Sequence, residues 1–215
     1  MISTGDTTMD ACFGGYLPGH LYVVGGPPGS GKTSWLRLAI RAALDSGKSV
    51  HLFDLESVLS KEFSGSQRFS SDDNLRNLNH AYYEIDDLVV FDALHRVTFE
   101  SASDLLDVSE QYSKARWVTS FTQTLLELTS ASPTTAFLMS WQTWVWPSPM
   151  GLPSSLAHAA EVYLSILEPH RVTVVKNRFG PSGQCAKIPM GYILDSNKYL
   201  PKKTLWERLD EDLLG

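Results

Sequence analysis

The chain has 215 residues, 43% hydrophobic and 20% charged, which excludes a disordered tail, a collagen-like fibre and a small disulfide scaffold. Lys and Arg number 18 against 24 Asp and Glu; the net charge of −6 argues against a broad nucleic-acid-coating surface but leaves contact through a few loops open. Cys12 and Cys185 have no CxxC neighbour, and no apolar run reaches the ~18 residues of a membrane span, so a soluble, cytoplasmic protein is expected.

A first strand is expected at 20–25 (HLYVVG), running directly into the glycine-rich stretch GPPGSGKT. A helix follows over 31–46, with Trp35, Leu36, Ile40 and Ala43 on one stripe and Gly47 placed to end it. A second strand is expected at 49–54 (SVHLFD). Residues 57–86 are polar and rich in Ser, Asn and Asp, and read as irregular loop with some helix. A third strand is expected at 88–92 (LVVFD), then a helix at about 112–131 carrying Trp117, Phe121, Leu125 and Leu128.

Four more strands are expected, at 135–140, 161–167, 171–176 and 187–194. Several strands are apolar on both sides of the pleat, as in a covered parallel sheet. The alternation of strand and helix predicts an α/β fold whose last strands turn back as hairpins. The C-terminal TLWERLDEDLLG reads as a short helix, with Thr204 and Glu207 in capping-box spacing and Leu205, Leu209 and Leu213 on one stripe. Packing on its own domain is expected for it, with docking on a neighbouring subunit as the alternative. The division is then a core at 1–195 and a tail at 196–215.

Residues 26–33, GPPGSGKT, complete the pattern GxxxxGK[ST] between an apolar strand and a helix. Gly26, Gly29 and Gly31 let the backbone of Gly26, Pro27, Pro28, Gly29, Ser30 and Gly31 curl so that N–H groups point at phosphate oxygens. The N-terminus of the helix, through Lys32, Thr33 and Ser34, adds its positive dipole end. Lys32 is expected to reach the β and γ phosphates and the Thr33 hydroxyl to ligand Mg²⁺. Such a pattern arises by accident in on the order of 1% of chains this long, so its chemistry is specific.

Two acidic positions at strand ends fit a hydrolytic site. Asp92 ends LVVFD, where a second-strand Mg²⁺ holder is needed. Glu56 follows HLFDL, where it is placed to polarise an attacking water as general base; Asp54, two residues earlier on the same face, is its rival.

These residues resemble the core ATPase of the RecA superfamily, most closely its RadA-like and DnaB-like helicase branches. The opening STGDTTMDACFGGYLPGHLYVVGGPPGSGKT, Glu56 after the second strand, and VVFD all match that pattern. FLMSWQT resembles the strand that senses the γ-phosphate, which implies that role for Gln142. VVKNRFGPSG resembles a Lys-x-Arg-x-Gly-Pro turn whose cations, in ring-forming relatives, point into the neighbouring subunit's ATP. The resemblance thus implies Lys176 and Arg178 as trans-acting fingers, with Gly180 shaping the turn.

It also implies a P-loop fold of RecA type using ATP and Mg²⁺, a homo-oligomeric ring or filament, single-stranded DNA as substrate, and a possible protein loader. The chain reads as the ATPase core only, without primase, zinc-ribbon, collar or protease-like segments.

The loops expected to face DNA are about 95–116, with His95, Arg96, Lys114 and Arg116, and 143–155, with Trp144, Trp146 and Met150. Those aromatic residues suit either stacking on unpaired bases, at roughly 1–3 kcal/mol per base, or packing within the protein. Phe13, Tyr16, Tyr82 and Tyr83 read as packing residues, and His20, His51, His80, His158 and His170 as structural. The functions open to such a chain are a DNA translocase or helicase, a recombination-mediator ATPase that unwinds little, and an assembly ATPase acting on proteins. A small-molecule phosphotransferase is disfavoured, because no Arg-rich lid is found.

Overall fold

A computed structural model describes residues 1–73, 75, 86–92, 114–143, 153–168, 171–183 and 185–187, and for 114–117, 167–168 and 185–187 only the backbone. Expectations for His80, Tyr82, Tyr83, His95, Arg96, Trp144, Trp146, Met150, His170, residues 188–194 and the helix at 204–215 lie outside these residues. So do those for the side chains of Lys114, Arg116 and Trp117.

The expected strands form, with shifted ends. They are β1 (Leu21–Gly26), β2 (Val50–Asp54), β4 (Leu88–Asp92), β5 (Ala136–Gln142), β6 (Val162–Glu168), β7 (Arg171–Asn177) and β8 (Cys185–Lys187). One strand was not expected: β3 (Phe69–Asp72), in the stretch read as irregular. Its FSSD sequence has no strand signature. It forms because β2 offers a free edge, pairing Val50 with Phe69 and Phe53 with Asp72, and because the Phe69 ring packs 5.6 Å from Phe63.

The sheet has the order β3-β2-β4-β5-β1-β6-β7-β8. Every pairing from β3 through β6 is parallel, and β6–β7 and β7–β8 are antiparallel, as the terminal hairpins require. β1, β2, β4 and β5 are buried along their whole length, which explains their unbroken apolar character.

Helices cover both faces. α2 (Lys32–Asp45) buries Trp35, Leu36, Ile40 and Ala43 against Tyr22, Val24, Leu52, Val90 and Leu138. It stops where Gly47, at φ 76°, lets Lys48 N return to Ala43 O at 2.9 Å. On the other face, α4 (Lys114–Ala131) buries Phe121, Leu125 and Leu128 over Val23, Val89, Phe137 and Met139. Each such fully buried side chain stabilises the fold by about 1.5–3 kcal/mol.

Three short helices complete the described residues: α1 (Thr7–Phe13), α3 (Ser60–Phe63) and α5 (Ser154–Ala159). α1 sets Phe13 beside Tyr16 and Tyr22 in the core, and Tyr16 accepts a hydrogen bond from Trp35 Nε1 at 3.0 Å. Phe13 and Tyr16 therefore pack as expected. No helix among the described residues is long and apolar enough to cross a membrane.

Candidate functional site

The glycine-rich loop joins the carboxyl end of β1 to the first turn of α2. Gly26 admits no side chain: a Cβ there would lie 2.5 Å from Ile166 O and from Ser30 Oγ. Gly31 caps α2 at φ 103°, a left-handed conformation that turns the chain straight into the helix. A cavity of about 360 Å³ opens beneath this turn. Pro28, Gly29, Gly31, Lys32, Thr33 and Ser34 wall it on one side, and Glu56, Asp92, Ser140 and Gln142 on the other.

Lys32 is folded against its own loop, donating to Gly26 O at 3.0 Å and Pro27 O at 2.7 Å. Gly26 and Pro27 thus hold the lysine rather than wall the cavity, and Ser30 is buried with its Oγ unbonded. Burial lowers the Lys32 pKa to about 8, against the pull of Asp92 and Glu56.

Asp92 is 1% exposed at the end of β4, and its Oδ1 accepts from Ser140 Oγ at 2.7 Å. Its Oδ2 is buried without a hydrogen-bond donor. Burial raises its pKa, the Ser140 bond and the Thr33 hydroxyl lower it, and the charges of Glu56 and Asp54 raise it. An orphan carboxylate oxygen beside a helix-borne hydroxyl is the donor set a hard divalent cation takes. A triphosphate with Mg²⁺ therefore fits this cavity, with Thr33 and Asp92 on the metal side.

The two acids near the end of β2 separate here. Asp54 is buried at register with Asp92 and uses Oδ2 to accept from Ser60 N at 2.8 Å, capping the turn into α3. Glu56 is the one that lines the cavity. The turn that carries it closes with Ser57 N on Asp54 O at 3.1 Å, and Ser57 sits at φ 53°, a conformation that a residue with a Cβ rarely adopts.

β5 runs two residues further than expected. Gln142 is therefore in register with Gly26, and Thr143 N donates to Gly26 O at 3.0 Å. Ser140 and Gln142 face the cavity, whereas Trp141 turns to the α4 side of the sheet at 5% exposure. Ser140 is a site residue that the sequence reading did not single out. Its signal was available in the two-residue period of SWQ.

No protein-family model matches the chain, and no curated protein matches it in sequence. Solved structures do match in three dimensions. The crystal structure of the RadB recombinase covers 86% of this chain and 94% of its own, with a TM-score of 0.58 at 20% identity. A second solved structure, a helicase ATPase domain, covers 85% of each chain, with a TM-score of 0.65 at 13% identity. The fold is of the RecA type.

In this RecA-type sheet, Lys176 and Arg178 lie far from the chain's own cavity. Asn177 pairs with Val162, which pairs with Tyr22, at the opening end of β1. Gly26 lies at the other end, ~13 Å further along the strand at the usual rise per residue. Both cations instead meet the C-terminal end of α5. Lys176 Nζ donates to the carbonyls of Ala157, His158 and Ala160, and Arg178 Nη2 to His158 O at 3.1 Å. Burial, then the charge of Arg178, lowers the Lys176 pKa. Gly180 packs where a Cβ would lie 3.1 Å from Cys12 O, so the turn leans on α1.

Proposed function

We propose that the chain is a Mg²⁺-dependent ATP hydrolase of RecA/DnaB type that works as a ring or filament on single-stranded DNA. The observation that carries the reading is convergence: Lys32, Thr33, Glu56, Asp92 and Gln142 come from separate segments and line one cavity. Lys32 leaves its loop carbonyls to meet the β and γ phosphates, and the loop and helix N–H groups cradle them. Thr33 and Asp92 hold Mg²⁺, which neutralises charge on the phosphates. Glu56 accepts a proton from the attacking water, and Gln142 orients against the γ-phosphate.

The placement of Lys176 and Arg178 supports assembly. A cation at the opening edge of the sheet is useless to a cavity at its carboxyl edge in the same chain. Meeting a neighbour's cavity requires a head-to-tail contact, and such contacts build rings or filaments. An arginine so delivered is worth roughly 10³–10⁵ in rate.

A second reading, an assembly ATPase acting on protein partners, is favoured by the net charge of −6. A recombination mediator without unwinding activity stands between the two. ATP turnover titrated against protein concentration, with and without single-stranded DNA, separates them. A rate per subunit that rises with concentration and again with DNA is expected; a rate that rises with concentration alone favours the protein-partner reading. Lys32→Ala is expected to abolish turnover, and near-normal turnover in that variant would sink the site assignment.

A further inference from the structure

The two cations at the end of β7 are held very differently. An ammonium has three N–H donors, and Lys176 directs its donors to three backbone carbonyls, those of Ala157, His158 and Ala160. These carbonyls belong to the last turn of α5 and the residue after it, where acceptors lack helical partners. Withdrawing Lys176 would leave that end uncapped, so the lysine is committed to its own chain.

Arg178 is not. Its side chain is 55% exposed, and its ion pair with Glu161 is long, at 3.5 Å. It spends one bond on His158 O, leaving most of its five N–H donors without a partner among the described residues. Its backbone, in contrast, is fixed: Arg178 N donates to Glu161 O at 3.0 Å, and Glu161 Oε2 accepts from Leu21 N at 2.9 Å. The guanidinium is loosely held at its tip and anchored at its root, which is the arrangement a group reaching outward needs.

We propose that Lys176 is a positioning residue that clamps β7 to the end of α5, and that Arg178 alone is the cation presented to a neighbouring subunit. The inference rests on the trans reading above, but divides the labour that the resemblance assigns to both residues. It also ties the turn to the segment between β5 and α5, because the clamped helix end closes the path that begins at Gln142.

The test uses the full chain with Lys176→Gln, Lys176→Met, Arg178→Ala and the Lys176→Gln/Arg178→Ala double variant, comparing kcat, KM for ATP and thermal midpoint. Gln keeps N–H donors for the helix end while removing the charge, and it keeps the comparison open if the Met variant fails to fold. Arg178→Ala is expected to lower kcat by on the order of 10³ or more with KM little changed. Lys176→Gln should lower kcat less than about tenfold, and the double variant should match Arg178→Ala within about twofold. Lys176→Met should lower the thermal midpoint by several degrees, and Arg178→Ala should leave it in place.

A Lys176→Gln loss as deep as that of Arg178→Ala, or a double variant lower by the product of the two losses, would make Lys176 a second finger and overturn the division. If instead Arg178→Ala turns over normally, the trans reading itself has failed, and the role given to Arg178 falls with it.

Discussion

Asp92 and Ser140 make one functional unit out of residues 48 positions apart. Burial and the neighbouring carboxylates favour a protonated Asp92, and the Ser140 hydroxyl bond opposes them. Ser140→Ala is therefore expected to raise the Mg²⁺ concentration needed for half-maximal turnover by about 10–100-fold, the usual cost of losing a group that orients a ligand. The sign for pH follows: without the bond Asp92 ionises less readily, so the acid limb of the activity profile moves to higher pH. A Mg²⁺ titration and a pH–rate profile of the variant check both, and an unchanged profile contradicts them. Glu56→Gln is expected to bind nucleotide while losing about 10²–10⁴ in turnover, because it removes only the proton acceptor. At this scale Lys32, Thr33 and Asp92 were legible in the sequence, since each sits at a fixed offset from a strand or glycine loop. Ser140 was not, because its role is set by a partner on another strand.

Elements formed where periodicity was long and failed to announce themselves where tertiary contacts decide. α2 and α4 carry repeated apolar stripes, and both appear within two residues of the expected ends. α1 spans seven residues, too few for a stripe to register, and is held by Asp6, whose Oδ1 accepts from Thr8 N and Met9 N at 3.0 Å each. Asp6→Ala should cost about 0.5–2 kcal/mol, read as a lower thermal midpoint with kcat little changed. β1 gives a second prediction. A Cβ on Gly25 would lie 2.6 Å from Tyr163 Oη and 2.8 Å from its ring, so Gly25→Ala must displace that ring. Overpacking of this kind costs about 1–3 kcal/mol and, next to Gly26, should also weaken nucleotide binding. Thermal denaturation and a nucleotide titration on the same variant check the two effects.

Across the whole molecule the two edges of the sheet are built for different purposes. The opening edge is stitched: Asp87 accepts from Lys48 Nζ at 2.8 Å and Ser49 N at 3.0 Å, and Thr135 Oγ1 donates to Asp86 O at 2.7 Å. The carboxyl edge instead keeps Ser30 Oγ, Asp54 Oδ1 and Asp92 Oδ2 buried and unbonded, at the cost such groups carry. Partial burial would raise the Asp87 pKa, but the bonds from Lys48 and Ser49 outweigh it and hold the carboxyl below its ordinary range. A lowered carboxylate pKa adds stability that is fully present above the unfolded value and lost as pH falls through the folded one. Asp87→Asn should therefore be less stable than wild type by about 1 kcal/mol at neutral pH, with the gap closing below about pH 4. Denaturation midpoints of both proteins at neutral and acid pH check this.

The α/β alternation, the glycine-rich loop and the strand-end carboxylates could all be read from the chain before it folds, because each is encoded in consecutive residues whose spacing matches one strand, turn or helix. That Glu56 rather than Asp54 lines the cavity emerges only on folding, since a left-handed Ser57 and the Ser60 amide divide the two acids. Folding likewise makes FSSD an edge strand, pairs Ser140 with Asp92, and turns Lys176 to the end of α5. In each of these the partner lies on a different element, and a group's chemistry follows from what the folded chain brings against it.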